Sequence, residues 1–318
     1  MSSILITGSL GIIGKPLSKE LKRRGHAVFG VDISHNIGEI GYSQKMSNSE
    51  FSYSRCDISE FRQLERIFKI KKFDIVYNCA AEFGRWNGED YYEQVWKTNV
   101  IGLKHILNLQ TIYGFKLIHF SSSEVYGDYD KIMKEDLLDK IEIKQLNDYA
   151  LSKWTNEQQI KNHNIFNDGL DSVVVRIFNT YGPGEYYHPY RSVNSKFVYN
   201  LLHNIPIDVY KNHSRTSTYL SDTVRTIGNI SENFISGETY NIGGSELHSI
   251  EELTDLIIKY TGCSKNLIKY KNNEEILTTK TKIVDVSKSI NDLDHKNSIS
   301  LDEGVKKTVE WMKKIYKV

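Results

Sequence analysis

The sequence predicts an α/β fold in which a doubly wound parallel sheet is joined to a smaller α/β lobe at its C-terminal end. Short β-branched runs alternate with amphipathic helical segments up to about residue 180, which is the pattern of a parallel sheet with helices on both faces. Three of the four prolines lie between residues 183 and 206, where the chain is expected to leave the sheet. A length of 318 residues suits one such domain with an appended lobe.

The composition describes an ordinary globular protein and excludes several classes of function. A net charge of +1 gives no indication of nucleic acid or of an anionic membrane as a partner. No apolar run approaches the length of a membrane span, and the N-terminus begins as a strand without a basic leader, so we expect a cytoplasmic protein. The three cysteines are scattered and the histidines lack metal-ligand spacing, so neither a disulfide nor a metal site is expected.

The first predicted strand, residues 4–7, leads into a glycine-rich turn and then a helix. Glycines in this setting let the backbone approach a pyrophosphate, which lies at the helix N-terminus. The second strand ends in Asp32, eighteen residues after Gly14, where a carboxylate would bind the adenosine ribose diol and repel a 2′-phosphate. Ile33 and the residues after it offer no arginine for that phosphate. A Rossmann-type domain that binds NAD rather than NADP is therefore predicted.

A third strand is predicted over residues 53–58, after a polar stretch at 34–52 that we interpret as a surface excursion. Two interpretations of the strand end remain open. Asp57, with Ile58, would lie by the adenine amino group, or Asp57 would cap the helix that follows.

The fourth strand, residues 73–78, runs into Ala80 and Ala81, small residues that let a ligand come close. Glu82 follows directly and is the preferred ligand-binding candidate there. The aromatic residues between 83 and 96 are expected to pack against one another rather than bind ligand.

The fifth strand, residues 116–120, is followed by Ser122, Ser123 and Glu124. In a doubly wound sheet the ligand crevice lies outside the carboxyl ends of the strands, so these side chains are predicted to form a catalytic shelf. The alternative is a serine-rich turn in which Glu124 acts as a cap.

Tyr149 and Lys153 are four residues apart on a helix that Asn147 can cap, so they share one helical face. A nearby ammonium would lower the pKa of the tyrosine and let it exchange a proton with a substrate hydroxyl near neutral pH. The pair alone is common on solvated helices. Beyond residue 183, Arg191, Lys196 and Arg215 suit a phosphorylated ligand.

The glycine turn, Asp32, Ser122, Tyr149 with Lys153, and Asn179-Thr-Tyr-Gly-Pro183 occur in this order across nearly the whole chain. The set resembles the extended short-chain dehydrogenase/reductase superfamily, specifically its NAD-dependent nucleotide-sugar epimerases and dehydratases. The resemblance implies an NAD-binding domain at 1–180 plus about 216–245. It also implies a nucleotide-sugar lobe at 181–215 and 246–318, and a homo-oligomer.

The resemblance also implies the role of each site residue. Tyr149 would take the proton of the sugar C4 hydroxyl while hydride leaves C4 for NAD. Lys153 would hold the nicotinamide ribose and lower the pKa of Tyr149, and Ser122 would bind O4; with Ser123 and Glu124 these are the predicted catalytic residues. Predicted cofactor contacts are Gly8, Gly11, Ile12, Ile13, Gly14, Asp32, Ile33, Asp57, Ile58, Ala80, Ala81, Asn99, Tyr149, Lys153 and Phe178. Predicted substrate contacts are Glu82, Ser122, Ser123, Asn179, Arg191, Lys196 and Arg215.

The step after C4 oxidation depends on the Ser122-Ser123-Glu124 triplet. Dehydratases of thymidine-linked glucose carry Thr-Asp-Glu, whereas mannose dehydratases and glucuronate decarboxylases carry Thr-Ser-Glu, which this triplet resembles more closely. The stretch at 185–218 resembles bacterial enzymes that oxidise C4 of GDP-heptoses for surface polysaccharides. We therefore expect C4 oxidation of a nucleotide-diphosphate sugar, with a GDP-heptose favoured.

Three other functions remain as alternatives. A 4-epimerase or a 4,6-dehydratase would use the same C4 oxidation. A non-catalytic NAD-binding sensor or scaffold would not need Ser122, Tyr149 and Lys153 together. Oxidoreduction of a steroid or small aldehyde would not call for Asn179 and Arg215 as phosphate contacts.

Overall fold

The computed structural model describes residues 1–34, 52–167 and 170–318. The surface excursion predicted over residues 34–52 lies outside the described residues apart from its two end residues. None of the helices within the described ranges is both long and apolar enough to cross a membrane.

Strands and helices alternate along most of the chain, as predicted. In chain order the strands are β1 (Ser3–Thr7), β2 (Ala27–Asp32), β3 (Ser52–Arg55), β4 (Ile75–Asn78), β5 (Lys116–Ser122), β6 (Ile132–Met133), β7 (Ser172–Ile177), β8 (Thr180–Tyr181), β9 (Ile207–Tyr210), β10 (Ser214–Thr216), β11 (Thr218–Tyr219), β12 (Thr239–Ile242), β13 (Leu247–Ser249), β14 (Ile268–Lys271) and β15 (Thr281–Val284). The helices are α1 (Gly14–Arg23), α2 (Phe61–Ile70), α3 (Arg85–Asp90), α4 (Tyr92–Val95), α5 (Gly102–Tyr113), α6 (Leu137–Lys140), α7 (Asp148–Phe166), α8 (Val193–Leu202), α9 (Leu220–Asn229), α10 (Ile250–Thr261), α11 (Ser287–Leu293) and α12 (Leu301–Tyr316). A π-helical turn, Trp96–Ile101, precedes α5, and a 3₁₀ turn, Ser123–Tyr126, follows β5.

Within the described residues, seven parallel strands form the large sheet in the order β3-β2-β1-β4-β5-β7-β12. The direction of the strand order reverses between β1 and β4, which is where a doubly wound sheet opens its ligand crevice. The predicted fold class is confirmed. The late strand β12 joins this sheet by pairing with β7; the residue boundaries between the two domains stay a prediction.

Several strands differ by a few residues from the predicted bounds, and two of these differences bear on the crevice. β5 continues two residues beyond its predicted end, so Ser122 is its last residue and is paired with Ile177 of β7. β3 ends at Arg55 rather than at residue 58, so Asp57 lies in the turn between β3 and α2.

The sheet is buried on both faces. On one face α1 and α9 supply apolar side chains such as Leu17, Leu21 and Ile227. On the other face α2, α5 and α7 supply side chains that include Leu64, Leu103 and Ile160. Each fully buried side chain of this size contributes roughly 1.5–3 kcal/mol of transfer free energy, so the helices are held by their apolar faces.

The C-terminal lobe has its own core between α8, α10 and α12, with Leu201, Leu253 and Met312 fully buried. A capping box stabilises the start of α10. Ser249 Oγ accepts a hydrogen bond from the Glu252 backbone N–H at 3.0 Å, and the Glu252 carboxylate accepts from the Ser249 N–H at 2.6 Å.

Helix α7 is clamped to the sheet by polar side chains on its buried face. Lys153 Nζ donates a hydrogen bond to the Phe120 carbonyl at 2.7 Å. Glu157, one helical turn further along α7, accepts a hydrogen bond from the Ser121 hydroxyl. The Glu157 carboxylate also accepts two hydrogen bonds from Arg176 of β7, at 2.7 and 3.0 Å. These contacts of Lys153, Glu157 and Arg176, called the α7 clamp below, fix both the rotation of α7 and its position along the sheet.

Arg176→Met is expected to lower the free energy of unfolding by about 3–5 kcal/mol, because it leaves the buried Glu157 carboxylate without its cation. Lys161→Met on the same helix is the matched control, since Lys161 pairs with Asp139 on the exposed surface. That loss should be about 1 kcal/mol or less. Urea unfolding of both variants measures the two losses; equal losses would contradict a structural role for the clamp.

Candidate active site

A cavity of about 1200 Å³ lies at the carboxyl edge of the large sheet and continues under the C-terminal lobe. This volume is at the upper end of the range for small-ligand pockets. It is lined at one end by the glycine turn after β1 and at the other end by Arg191, Lys196 and Arg215. Ser122, Tyr149 and Lys153 lie on the wall between the two ends.

The glycine turn is closed so tightly that side chains do not fit. Gly8 has φ +65°, and a Cβ there would lie 2.7 Å from the Ala80 nitrogen; a Cβ on Gly14 would lie 2.2 Å from the Gly8 oxygen. The Asp32 carboxylate accepts the backbone N–H groups of Leu10 and Ser34, each at 3.0 Å. A bare backbone turn beside a fixed carboxylate fits a dinucleotide.

The predicted cofactor contacts mostly line this end of the cavity. Those on the cavity wall are Gly8, Gly11, Ile12, Ile13, Gly14, Asp32, Ile33, Asp57, Ile58, Ala80 and Ala81. The alternative role of Asp57 as a helix cap is wrong. Helix α2 begins three residues later with Glu60 as its N-cap, while Asp57 Oδ1 accepts from the Ser59 N–H and hydroxyl at 2.9 and 2.7 Å.

The structure does not bring two predicted cofactor residues to the cavity wall. Phe178, just beyond the end of β7, is fully buried in a cluster with Tyr126, whereas its neighbours Ile177 and Asn179 line the cavity. Asn99 is buried too, and its amide binds the Glu82 backbone at both N–H (2.9 Å) and carbonyl (3.1 Å). Asn99 therefore positions Glu82, which does line the cavity.

Tyr149 and Lys153 lie in the first and second turns of α7, whose start is capped by Asn147 as predicted. Lys153 is buried, and its ammonium lies 5.9 Å from the centre of the Tyr149 ring. Ser122, at the end of β5, interacts with the Tyr149 phenol. The α7 clamp thus places the phenol of Tyr149 and the ammonium of Lys153 next to the hydroxyl of Ser122 on the cavity wall.

The expectation that Lys153 lowers the pKa of Tyr149 is wrong for this structure. Burial raises the pKa of Tyr149 to about 12, and the groups that counteract it are Ser122 and Arg191. Burial also lowers the pKa of Lys153 to about 8. The ammonium donates to the Phe120 carbonyl rather than to the phenol, which explains its small effect.

Glu124 forms an ion pair that the sequence did not indicate. Its Oε1 lies 2.5 Å from Nζ of Lys282 on β15, and Lys282 is almost fully buried. Burial favours the neutral acid, but Lys282 and Arg85 outweigh it and hold the pKa of Glu124 below its usual range. The alternative role of Glu124 as a cap is wrong, because Ser122 Oγ accepts the Glu124 N–H at 3.2 Å. Ser123 is buried beside it on the cavity wall.

The far end of the cavity is cationic. Arg215 is largely buried, and its Nη1 donates to the carbonyls of Ser214 and Lys280 at 2.8 and 2.7 Å. Arg191 lies with its guanidinium carbon 3.8 Å from the centre of the Phe83 ring. Arg85, which sequence reasoning placed among packed aromatic residues, also lines this wall. The wall can hold an anionic ligand, and Arg85 and Lys282 are the residues that sequence reasoning missed.

Comparison with known proteins assigns the chain to a family. Residues 4–243 match the model of the NAD dependent epimerase/dehydratase family. The UDP-glucuronate 4-epimerase of Thermodesulfobacterium geofontis is 30% identical over 98% of this chain and 97% of its own. The UDP-N-acetyl-alpha-D-glucosaminuronate decarboxylase of Bacillus cytotoxicus is 29% identical over 98% of both chains.

Solved structures agree with these matches. The UDP-glucuronic acid 4-epimerase of Bacillus cereus, in complex with UDP-glucuronic acid and NAD, superposes with a TM-score of 0.85 at 26% identity. The superposition covers 99% of this chain and all of that one. The matches confirm the predicted family, its enzymatic class and NAD as cofactor. All three relatives are named for uridine-linked sugars, so they do not support the predicted GDP-heptose.

Glu185→Gln is expected to remove a pH dependence of stability. Burial raises the pKa of the Glu185 carboxyl to about 7, although Arg191 and Ser192 counteract it. Between about pH 4.5 and 7 the folded chain keeps a proton that the unfolded chain has lost, so the free energy of unfolding falls as pH rises. At pH 8 the glutamine variant should be more stable than the native chain by up to about 3 kcal/mol.

At pH 4.5 the same variant should have no such advantage, because the native carboxyl is then protonated in the folded state. Thermal or urea unfolding at the two pH values measures the difference. The matched control is the same substitution at Glu310, on the exposed surface of α12. A gain for Glu185→Gln that is equal at both pH values would contradict the prediction.

Proposed function

Because the chain belongs to the NAD dependent epimerase/dehydratase family, we propose that it oxidises C4 of a nucleotide-diphosphate sugar, with Tyr149 as the base. The observation that carries the proposal is the place of Tyr149, Ser122 and Lys153 in the cavity. They lie between a glycine turn that fits a dinucleotide and a cationic wall that fits a diphosphate. A sugar that joins these two regions would present a hydroxyl to the phenol.

The first half of the cavity would hold the cofactor. Asp32 would bind the adenosine ribose diol, the glycine turn the pyrophosphate, and Lys153 the nicotinamide ribose. When bound, NAD supplies the acceptor for the hydride that leaves C4. The bond from Lys153 to the Phe120 carbonyl keeps the ammonium at the cavity wall, where its remaining N–H groups are available.

Tyr149 and Ser122 would act on the C4 hydroxyl. Ser122 orients the sugar oxygen, and the Tyr149 phenolate takes its proton as the C4–H bond breaks. Burial makes the phenolate costly to form, but Ser122 and Arg191 offset part of that cost by lowering the pKa of Tyr149. Because the pKa of Tyr149 is raised, its phenolate is a strong base once it has formed.

The surroundings of Glu124 favour a reaction that ends at C4 over a 4,6-dehydration. Elimination needs an acid for the departing hydroxyl, and Ser123 stands where thymidine-linked glucose dehydratases carry an aspartate. Glu124 itself is held as a carboxylate by Lys282 at 2.5 Å. The ketose would then be released, or receive hydride on its other face, which is the 4-epimerase alternative.

Two observations favour different nucleotides within the proposed class. The similarity of residues 185–218 to enzymes of GDP-heptoses favours a guanosine nucleotide, whereas the names of the relatives favour a uridine nucleotide. Turnover of any such sugar would exclude the sensor or scaffold alternative. The homo-oligomer and the cytoplasmic location stay predictions.

Tyr149→Phe is expected to lower turnover of the preferred nucleotide sugar by about 10²–10⁴-fold, because it removes the general base. The affinity for NAD should be unchanged, since the ring is kept and only the hydroxyl is lost. Tyr113→Phe is the matched control, as Tyr113 packs against Phe68 outside the cavity. Absorbance of the reduced cofactor measures turnover, and calorimetry measures NAD binding. Undiminished turnover of Tyr149→Phe would refute the mechanism.

Incubation with GDP-, UDP- and dTDP-sugars in deuterated water is expected to yield a 4-ketose or a 4-epimer with protium retained at C5. The reason is that the Glu124 carboxylate is paired with Lys282 and so does not take the C5 proton. In addition, the Ser123 hydroxyl is no acid for the departing C6 hydroxyl. Product NMR gives the position of any deuterium, and absorbance shows whether reduced cofactor accumulates. Deuterium at C5 together with loss of the C6 hydroxyl would establish dehydration instead.

A further inference from the structure

Arg85 and Glu275 form an ion pair across the cavity. Arg85 begins α3 on the sheet side, and Glu275 lies between β14 and β15 on the lobe side. Nη2 of Arg85 is 2.9 Å from Oε1 of Glu275, and the two side chains are 23% and 25% exposed. Both residues line the cavity. The pair therefore bridges the two halves of the protein at the place where a ligand would lie.

The ion pair leaves donor capacity on Arg85 unused. Nη1 of Arg85 is buried and has no hydrogen-bond partner among the described residues. A guanidinium has five N–H donors in a planar fork, so an arginine with one carboxylate contact and a buried idle nitrogen is incompletely satisfied. Because Nη1 is shielded from solvent, a second oxygen ligand reaches it only if the side chain moves, as it would on leaving Glu275.

The electrostatic surroundings of Arg85 point to an anion. Its charge acts on both Arg215 and Lys196, and together with burial it lowers the pKa of each. Lys282, the other buried cation near them, is already paired with Glu124. Glu275 acts on Lys196 and Arg215 as well as on Arg85, and Glu124 also acts on Arg215. These two carboxylates face four cations, and the excess positive charge suits a diphosphate.

We propose that Arg85 binds the diphosphate of the nucleotide substrate and that Glu275 competes with this diphosphate for Arg85. The inference rests on the proposed function and adds a substrate-binding residue and an internal competitor to it. Carboxylate and phosphate oxygens both match the guanidinium fork, so one can replace the other. Glu275 neutralises Arg85 in the free protein and reduces the affinity for the ligand.

The segment that carries Glu275 is anchored independently of the ion pair. Arg215 donates to the Lys280 carbonyl at 2.7 Å and to Thr278 Oγ1 at 3.3 Å. Asn147, the cap of α7, donates to the Leu277 carbonyl at 3.1 Å. Because these contacts do not involve Glu275, its substitution should leave the segment in place.

The test measures binding of UDP, GDP and dTDP to the full chain by calorimetry. Glu275→Gln should tighten the dissociation constant of whichever nucleotide binds by about fivefold, because the competing charge is removed. The matched control is Glu274→Gln, which removes the same charge one residue away. Glu274 pairs with Lys280 and is 71% exposed, so this control should bind like the native chain.

Arg85→Gln should weaken the same dissociation constant by about tenfold, as expected for loss of a charge-assisted hydrogen bond to phosphate. In the Arg85→Gln background, adding Glu275→Gln should bring a clearly smaller gain, because the hydrogen-bonded target is gone and only the longer-range attraction to Lys196 and Arg215 remains. NAD affinity and thermal unfolding of each variant show that the fold and the cofactor site are intact.

The outcomes separate this inference from the proposed function. If the native chain binds a nucleoside diphosphate and Glu275→Gln binds no tighter than Glu274→Gln, the inference is overturned and the proposed function stands. If the gain of Glu275→Gln is undiminished without Arg85, Glu275 acts mainly on another group and the inference is also overturned. If the native chain binds none of the three nucleotides, both fail.

Discussion

The structure depends on the charged hydrogen bonds that Glu157 makes within the protein interior. The carboxylate holds both Ser121 of β5 and the guanidinium fork of Arg176 on β7, so α7 is tied to two neighbouring strands at once. An isolated buried carboxylate would cost several kcal/mol, which makes any rotation or sliding of α7 unfavourable. Tyr149 and Lys153 precede Glu157 on the same helix, and their placement against Ser122 follows from this constraint.

Burial of the site residues fixes their positions and also shifts their pKa values. The pKa of Tyr149 is raised and that of Lys153 is lowered because both side chains are removed from water. The same burial makes unpaired charges costly, and two ion pairs form beside the cavity: Glu124 with Lys282, and Arg85 with Glu275. Under the proposed competition, a diphosphate that binds Arg85 takes it from Glu275, so binding depends on the charge of that carboxylate.

Sequence reasoning succeeded where function depends on neighbours in the chain. The glycine turn and Asp32 belong to one β-α-β unit, and Tyr149 with Lys153 share a helical face, so spacing alone relates them. It failed for Phe178, where the direction of a single side chain at a strand end decides the outcome. Lys282 was missed because its partner Glu124 is 158 residues away, and Arg85 because its partner Glu275 is 190 residues away. Such pairings follow from the packing of the lobe on the sheet, which no local pattern encodes.

In the proposed function the lobe therefore does more than hold the nucleotide. Oxidation at C4 needs only groups from the sheet domain, because Ser122, Tyr149 and Lys153 all belong to β5 and α7. The next step depends on whether Glu124 is free to move a proton at C5, and the residue that restrains it comes from β15 of the lobe. In the proposed mechanism, the ion pair between buried Lys282 and Glu124 favours a reaction confined to C4.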